Sequence, residues 1–333
     1  MITVTEPQQQ AYAASETRPV LVVAGGTGLV GRHLIAQARD RYTIRVLSRS
    51  SRSQDPAVQV VSWDPQAAAR GAADALATLR QALDGASAVV NLAGASIGEG
   101  RLTPQQQRRV LQSRLDATNA LVEACLRCTR PPSVWVQASA VGYYGDTGDL
   151  EVDETCPPQP GFFLSDVCVA WERAARRIES RADGAVRLVI TRFGLVLGPD
   201  APAWQRLLLP LRLGVAGPFG SGRQWWPWVD VDDVARAICF LIEHPECRDV
   251  YNVTAPDPVR QIDFVRRAAR RLHRPAVIPV PAWALRLVLG PTADQLLLVS
   301  CRAVPRRLRA AGFDFLVPLL DTELDRLLGP RAR

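Results

Sequence analysis

Short apolar runs rich in β-branched residues alternate along this chain with stretches whose apolar positions recur at helical spacing. Residues 20–23 form the first run, and from Leu29 to Ala38 the period becomes helical, with glycines at 25, 28 and 31 between them. The same signal predicts strands over 42–47, 58–63, 86–92, 134–138 and 186–192. It predicts helices over 74–83, from Pro104 behind a Thr103 cap to a stop at Pro131 and Pro132, and over 161–181. Alternation this regular specifies the α/β class and a doubly wound parallel sheet. Beyond Pro199 the pattern loosens. Residues 214–233, rich in glycine and aromatics, read as a lid or substrate wall, or as a core-packing β segment. A helix over 234–243, a short strand over 251–253 and an amphipathic helix over 259–272 follow. From Pro275 onward the chain reads as a small, mostly helical appendage closing on the carboxyl end of the sheet.

The turn after the first strand carries the clearest chemistry. Its spacing is G-x-x-G-x-x-G at Gly25, Gly28 and Gly31. A strand, a glycine turn and a helix in succession let a diphosphate reach bare amides at a helix N-terminus. A Cβ at Gly25 or Gly28 would hold the phosphates off, and one at Gly31 would push the helix from the strand. The second strand ends at Ser48, Arg49 and Ser50, with Arg52 close behind. An acid there would hold a ribose 2′-hydroxyl and select NAD; a guanidinium suits a 2′-phosphate. The expected cofactor is therefore NADP(H), preferred over NAD(H). The fifth strand delivers A-S-A-V-G-Y-Y-G-D, which gathers Ser139, Tyr143 and Tyr144 at a carboxyl edge where ligands lie in such sheets. Ser139 is expected to face the same crevice as the glycine turn.

Composition narrows the function classes. The 333 residues are 47% hydrophobic and 22% charged, an ordinary globular balance. No apolar run reaches the roughly 18 residues of a membrane span. Residues 1–18 are polar, without the apolar core of a signal peptide, and read as a loose tail. The net charge of +7 is carried entirely by arginine, since the sequence contains no lysine. The arginine runs over 260–274 and 302–309 read as solvated helix faces more readily than as a nucleic-acid patch. Seven irregularly spaced cysteines argue against a disulfide framework and for a reducing, cytoplasmic setting. Cys125 and Cys128 form C-x-x-C without a second pair or a nearby histidine, so no metal is expected.

The chain resembles the extended short-chain dehydrogenase/reductases, the superfamily of nucleotide-sugar epimerases and dehydratases, over nearly all of 20–328. The resemblance rests on G-G-T-G-L-V-G from Gly25, N-L-A-G from Asn91, S-R-L-D-A-T from Ser113 and S-A-V-G-Y-Y-G from Ser139. W-E at Trp171, R-F-G-L-V-L-G-P from Arg192 and P-R-R-L-R-A-A-G-F-D-F from Pro305 add to it. Within the superfamily it looks like the epimerase-family branch, whose members are known as NAD-dependent epimerase/dehydratases and sometimes as cell-division inhibitors. The resemblance implies a Rossmann-type domain over 19–200, with 229–256 returning to it. Substrate-side insertions at 201–228 and 257–279 and a small C-terminal domain over 280–330 complete the chain. The dinucleotide site it implies comprises Gly25, Thr27, Gly28, Leu29, Val30 and Gly31. To these it adds Arg49, Ser50 and Asp64 after the second and third strands, Leu92, Ala93 and Gly94 after the fourth, and Ser113 and Arg192. Relatives often pair as homodimers through the helices at 104–130 and 161–181.

The superfamily's catalytic set is a Ser or Thr after the fifth strand and a Tyr-x-x-x-Lys on the next helix, the lysine lowering the pKa of the tyrosine. Ser139 matches the first position. Alignment on Glu172 puts Leu164 at the tyrosine position and Cys168 at the lysine position, and Asp230 stands where relatives carry histidine. Two readings stay open. In one, the chain is an oxidoreductase acting on a small-molecule substrate, with Tyr143 or Tyr144 replacing the lost tyrosine beside Ser139. In the other, it binds NADP(H) without chemistry, as a redox sensor or scaffold. An open, polar crevice favours the first; one plugged by apolar side chains such as Leu164 and the tryptophans at 225–228 favours the second.

Overall fold

The computed structural model describes residues 18–49, 58–98, 100–180 and 184–329; the expected tail, Ser50 and Arg52 lie outside these. Seven strands form the central sheet: β1 (Val20–Ala24), β2 (Thr43–Ser48), β3 (Val58–Ser62), β4 (Ala88–Asn91), β5 (Val134–Ala140), β6 (Arg187–Phe193) and β7 (Asp249–Val253). Their order is β7-β6-β5-β4-β1-β2-β3, and every neighbouring pair is parallel. The order reverses between β1 and β4, which opens a crevice at their carboxyl ends. This is a Rossmann-type doubly wound sheet.

Alternate strand residues feed two cores. Leu21, Val23, Val90 and Val136 pack against α1 (Leu29–Ala38) and α7 (Val231–Glu243) on one face. Val22, Ala24, Val89 and Trp135 pack on the other against α3 (Ala73–Leu83), α4 (Pro104–Leu126) and α5 (Phe163–Arg176). Between β3 and α3 lies a single helical turn, α2 (Pro65–Ala69), capped by Asp64. Helix α4 ends at Leu126, ahead of the two prolines expected to stop it, and α5 tightens into a 3₁₀ turn at Arg177–Ser180.

The loosened pattern after Pro199 holds a helix that periodicity does not reveal, α6 (Pro202–Arg212), with Pro210 inside it. Trp225–Trp226 pairs antiparallel with Val259–Arg260, so α8 starts only at Gln261 and runs to Arg271. Trp204, Trp226, Trp228 and Phe264 build a third core beneath these elements. After α9 (Ala282–Leu289) the chain runs back across the molecule. Arg302–Ala303 pairs parallel with Glu151–Val152. Leu308 of α10 (Arg306–Ala310) and Phe313 enter the α1/α7 core, while Leu320 and Leu324 of α11 (Leu320–Leu328) enter the tryptophan core. The C-terminal segment thus shares its cores with the rest of the chain and reaches well beyond the carboxyl edge expected of it.

Charge completes that docking. Asp230 caps α7 through the amides of Asp232 and Asp233 and pairs with Arg326 of α11 at 3.0 Å. The fully buried Asp233 accepts from the amides of Leu316 and Val317. Glu323 is fully buried, and neither carboxylate oxygen meets a donor among the described residues; when protonated it shares its proton with Asp230. Burial, with the Asp230 charge behind it, pushes its pKa from 4.5 to about 8. A carboxyl raised in the folded state is protonated there while the unfolded chain is not. Its stabilising share is whole below about pH 4.5 and is lost as pH rises toward 8. Thermal melts should therefore show the wild type losing stability between pH 5 and 8.5, and Glu323→Gln flattening that slope and melting higher at pH 8.5. Parallel slopes would show that Glu323 is ionised in the native state.

Candidate functional site

The glycine turn sits at the carboxyl end of β1, and backbone contact dictates its sequence. Gly25 has φ +82°, and a Cβ there would lie 2.8 Å from the Leu92 carbonyl carbon; at Gly31 it would lie 2.5 Å from the Gly25 oxygen. Gly28 would meet only that oxygen, at 3.3 Å. So Gly25 is needed for its left-handed backbone and its contact with the chain after β4, whereas a Cβ at Gly28 would meet little of the protein. Helix α1 begins behind Gly28 with no side-chain cap and no acid in its first turn. Its leading amides are available to an anion, with the helix dipole in support. Thr27 and Gly28 are exposed, and Leu29 and Val30 half-buried. Arg49, exposed, follows β2, whose Val46 lies beneath Gly26.

The loop after β4 forms the opposite lip. Asn91, fully buried, donates to Thr118 and Gln137 at 3.0 Å and accepts from the Ala93 amide at 3.2 Å. It thereby turns the chain into Leu92, Ala93 and Gly94. Ser113 on α4 holds this loop: its hydroxyl accepts from the Ala95 amide at 2.9 Å and donates to the Val110 carbonyl at 3.1 Å. Asp64 spends Oδ1 on the amides of Gln66 and Ala67, and Oδ2 has no hydrogen bond among the described residues.

The expected catalytic residues fall together, but in a buried network. Ser139 is 2% exposed and donates to Glu172 at 2.6 Å. Glu172 takes a two-pronged ion pair from Arg192, at 2.8 Å on each oxygen. Arg192 also donates to the Tyr144 hydroxyl at 2.9 Å, and that hydroxyl donates to Asn252 at 2.8 Å. Burial raises the pKa of Tyr144 well above the phenolic range despite the opposing Arg192 charge. The Tyr143 ring lies over the Arg192 guanidinium, 3.3 Å from Cζ to centroid. Arg192, expected to touch the cofactor, instead neutralises Glu172. Ser139 does not face the crevice, because Glu172 draws its hydroxyl inward.

Beside this network lies a cavity of about 840 Å³. Leu29, Ala140–Gly142, Leu164, Cys168, Trp171 and Phe193–Val196 line it. Arg206, Phe219, Trp225, Trp226, Leu285 and Leu289 also belong to its wall. The aromatic stretch is thus both wall and core, since Trp225 and Trp226 face the cavity while Trp228 is fully buried. The crevice is open but apolar, a combination that neither sequence reading anticipated. Cys168 donates weakly to the Ala140 carbonyl, and burial pushes its thiol up to about 11, so it is neutral and no substitute for a fixed cation. Ser139, Tyr143 and Tyr144 do not line the cavity, and no Asp, Glu, His or Tyr does so among the described residues.

Two buried charges at the site were not among the expected site residues. Arg114 falls on the buried stripe of α4 with Val110, Ala117 and Leu121, and Glu172 on that of α5 with Leu164, Cys168 and Ala175. A charge on an apolar stripe was the available signal.

A parallel sheet with an uncapped glycine turn at its switch point and a cavity alongside defines a dinucleotide-fold protein of the epimerase and dehydrogenase class. The model of the NAD dependent epimerase/dehydratase family matches residues 21–254, and a Domain of unknown function (DUF1731) matches 280–327. The chain belongs to that family. It is 36% identical over 296 residues to "Epimerase family protein SH2119" of Staphylococcus haemolyticus, covering 88% of this chain and 94% of the relative. The human epimerase family protein SDR39U1 (isoform 2), solved with NADPH, superposes with TM-score 0.81 at 30% identity, over 93% of this chain and 99% of that one. UDP-N-acetylglucosamine 4-epimerase from Bacillus cereus, at 17% identity and TM-score 0.71 over 93% and 95% of the two chains, shares the fold.

Replacing Glu172 by Gln should strand the Arg192 charge in a dry site, where breaking a buried pair costs about 3–5 kcal/mol. Urea unfolding should read this as a large drop in midpoint; a midpoint within experimental error of wild type would show the pair to be dispensable.

Proposed function

We propose that the chain binds NADP(H) along the carboxyl edge of the sheet and acts as an oxidoreductase on a small molecule held in the apolar cavity. One observation carries the reading: Leu29, which opens the uncapped helix α1, is also part of the cavity wall, so the anion-binding turn and the cavity are continuous. The amides of Thr27, Leu29, Val30 and Gly31 would hold the diphosphate, while Gly28 closes the turn by donating its own amide to the Gly25 carbonyl. Arg49, and Ser50 beyond the described residues, would hold the 2′-phosphate. Asp64 and residues 92–94 would line the rest of the path. Bound there, the nicotinamide supplies a hydride donor or acceptor. The human relative solved with NADPH supports this cofactor, and more distant folds solved with NAD keep the alternative in play.

The chain's own contribution is position, exclusion of water and charge. Ser139 and Tyr144 keep their hydroxyls inside the Glu172–Arg192 network. The Tyr143 hydroxyl makes no hydrogen bond among the described residues, and its ring rests on the Arg192 cation. In this reading Tyr143 is the proton donor, reaching the cavity by side-chain rotation, while Tyr144 and Ser139 hold Arg192 and Glu172 in place. The second reading, a non-catalytic NADP(H)-binding regulator, draws on the absence of any acidic or phenolic side chain from the described cavity wall.

Calorimetry separates the parts. NADPH should bind at least about tenfold more tightly than NADH, and Arg49→Ala should weaken NADPH about ten- to a hundredfold, the worth of a charge-assisted phosphate contact, with NADH little changed. Equal affinities would overturn the choice of cofactor. In a screen of carbonyl compounds and sugar nucleotides with NADPH, Tyr143→Phe should abolish turnover and Tyr144→Phe should chiefly lower the melting temperature. Undiminished turnover in Tyr143→Phe would remove it as the donor; no turnover with any substrate would favour the regulator.

A further inference from the structure

The charge of the cavity wall is one-sided. Its described residues include two charged side chains, both cations: the buried Arg114 and the exposed Arg206. Arg114 is 8% exposed, and its guanidinium lies 4.9 Å from the Trp171 ring centroid. Nη1 donates to the carbonyls of Ala95 at 2.9 Å and Val110 at 3.0 Å. Nε and Nη2 have no acceptor among the described residues, and no described carboxylate lies within ion-pair distance. Burial pulls the pKa of the group down.

Two other buried arginines give the comparison. Arg192 is neutralised by the paired oxygens of Glu172. Arg187 has no acid in ion-pair reach among the described residues either, but it spends both terminal nitrogens on the carbonyls of Leu241, Cys247 and Ile242 and lines no part of the cavity. Arg114 alone of the three borders the cavity and keeps one planar edge, Nε with Nη2, unengaged. That edge matches the two oxygens of a carboxylate. The remaining wall, with Phe219, Trp225, Trp226, Leu285 and Leu289, matches an apolar body, and about 840 Å³ lies within the range that holds a drug-sized molecule.

We infer that the cavity takes an amphipathic carboxylate, its head on the free edge of Arg114 and its apolar body against the tryptophan wall. This rests on the oxidoreductase reading and names its substrate class. Arg206 adds attraction at the rim. Glu99, between two cavity-lining glycines, lies outside the described residues and enters the test.

The test compares 2-naphthoate with 2-naphthamide, of like shape but without the charge, by calorimetry and tryptophan quenching on the full chain, with and without saturating NADPH. Wild type should favour the carboxylate by about tenfold or more, the scale of a charge-assisted pair. Arg114→Met should bring the two within about twofold, Arg114→Lys should keep part of the preference, and Arg206→Gln should lower it by a few-fold, at low salt only. NADPH affinity should stay within about threefold in Arg114→Met. Equal binding in wild type, or binding of neither probe, overturns the inference without any variant, so a folding defect in Arg114→Met leaves the test decisive. So does a preference that survives Arg114→Met, or one that emerges only in Glu99→Gln, which would make Glu99 the counter-ion. A tenfold loss of NADPH affinity in Arg114→Met would assign Arg114 to the dinucleotide instead. Failure of wild type to bind NADPH with the carboxylate preference intact would sink the cofactor reading alone.

Discussion

Backbone touching backbone at the first turn is the constraint that the carboxyl edge inherits. Gly31 stands where a Cβ would come within 2.6 Å of the Gly26 Cα, and Gly25 where one would strike the chain leaving β4. Protein interiors have no slack to absorb such contacts. The pairing of β1 with β4, the entry angle of α1 and the open amides at its start are therefore fixed together. The lip formed by residues 92–95 then follows, because Leu92 donates to the Ala24 carbonyl and Asn91 and Ser113 hold what comes after. The cavity is what remains between this edge and the insertions that cover it.

The cavity wall has its own charge arrangement. Helix α5 contributes Leu164, Val167, Cys168 and Trp171 to it, and among the described residues no fixed cation of α5. The charge is kept one layer deeper, where Glu172 and Arg192 neutralise each other. A buried pair of this kind contributes little net stability compared with apolar packing, but it is costly to break. It locks Ser139, Tyr144 and, through Asn252, the carbonyl of Val304 in the C-terminal segment into one arrangement. These polar groups are part of what joins the C-terminal segment to the sheet.

The strands, the glycine turn and the Thr103 cap were legible because each is a local signal: period, backbone conformation, or one side chain bonding its own turn. What was not legible is tertiary. Helix α6 is read poorly because Pro210 interrupts a run whose apolar residues serve two faces, Trp204 and Leu208 inward and Leu209 outward. The C-terminal segment looked like an appendage because its anchors, Leu308, Phe313 and Leu324, are isolated apolar residues whose partners lie far away in sequence. The orientation of Ser139 depended on Glu172, 33 residues along the chain, and no spacing rule connects the two. Arginine hides its role more than most residues, since Arg114, Arg187 and Arg192 read alike in sequence and differ only in what surrounds them.

That difference carries an energetic argument. Taking a guanidinium out of water costs several kcal/mol even after relaxation. Arg192 recovers this from a carboxylate, and Arg187 from three carbonyls. Arg114 has two carbonyls on one nitrogen and an aromatic face, the latter worth about 0.5–2 kcal/mol. Among the described residues its account closes only in part without a ligand, and no carboxylate neutralises it. A site built this way holds its desolvation cost in advance, and an arriving anion need not strip the water from its partner. The same low-dielectric wall that makes the cation costly when alone strengthens the pair once formed. An apolar cavity and an unneutralised charge are thus two aspects of one design, in which the dryness supplied by Trp171, Trp225 and Trp226 sets how strongly Arg114 discriminates a carboxylate from a neutral group of the same shape.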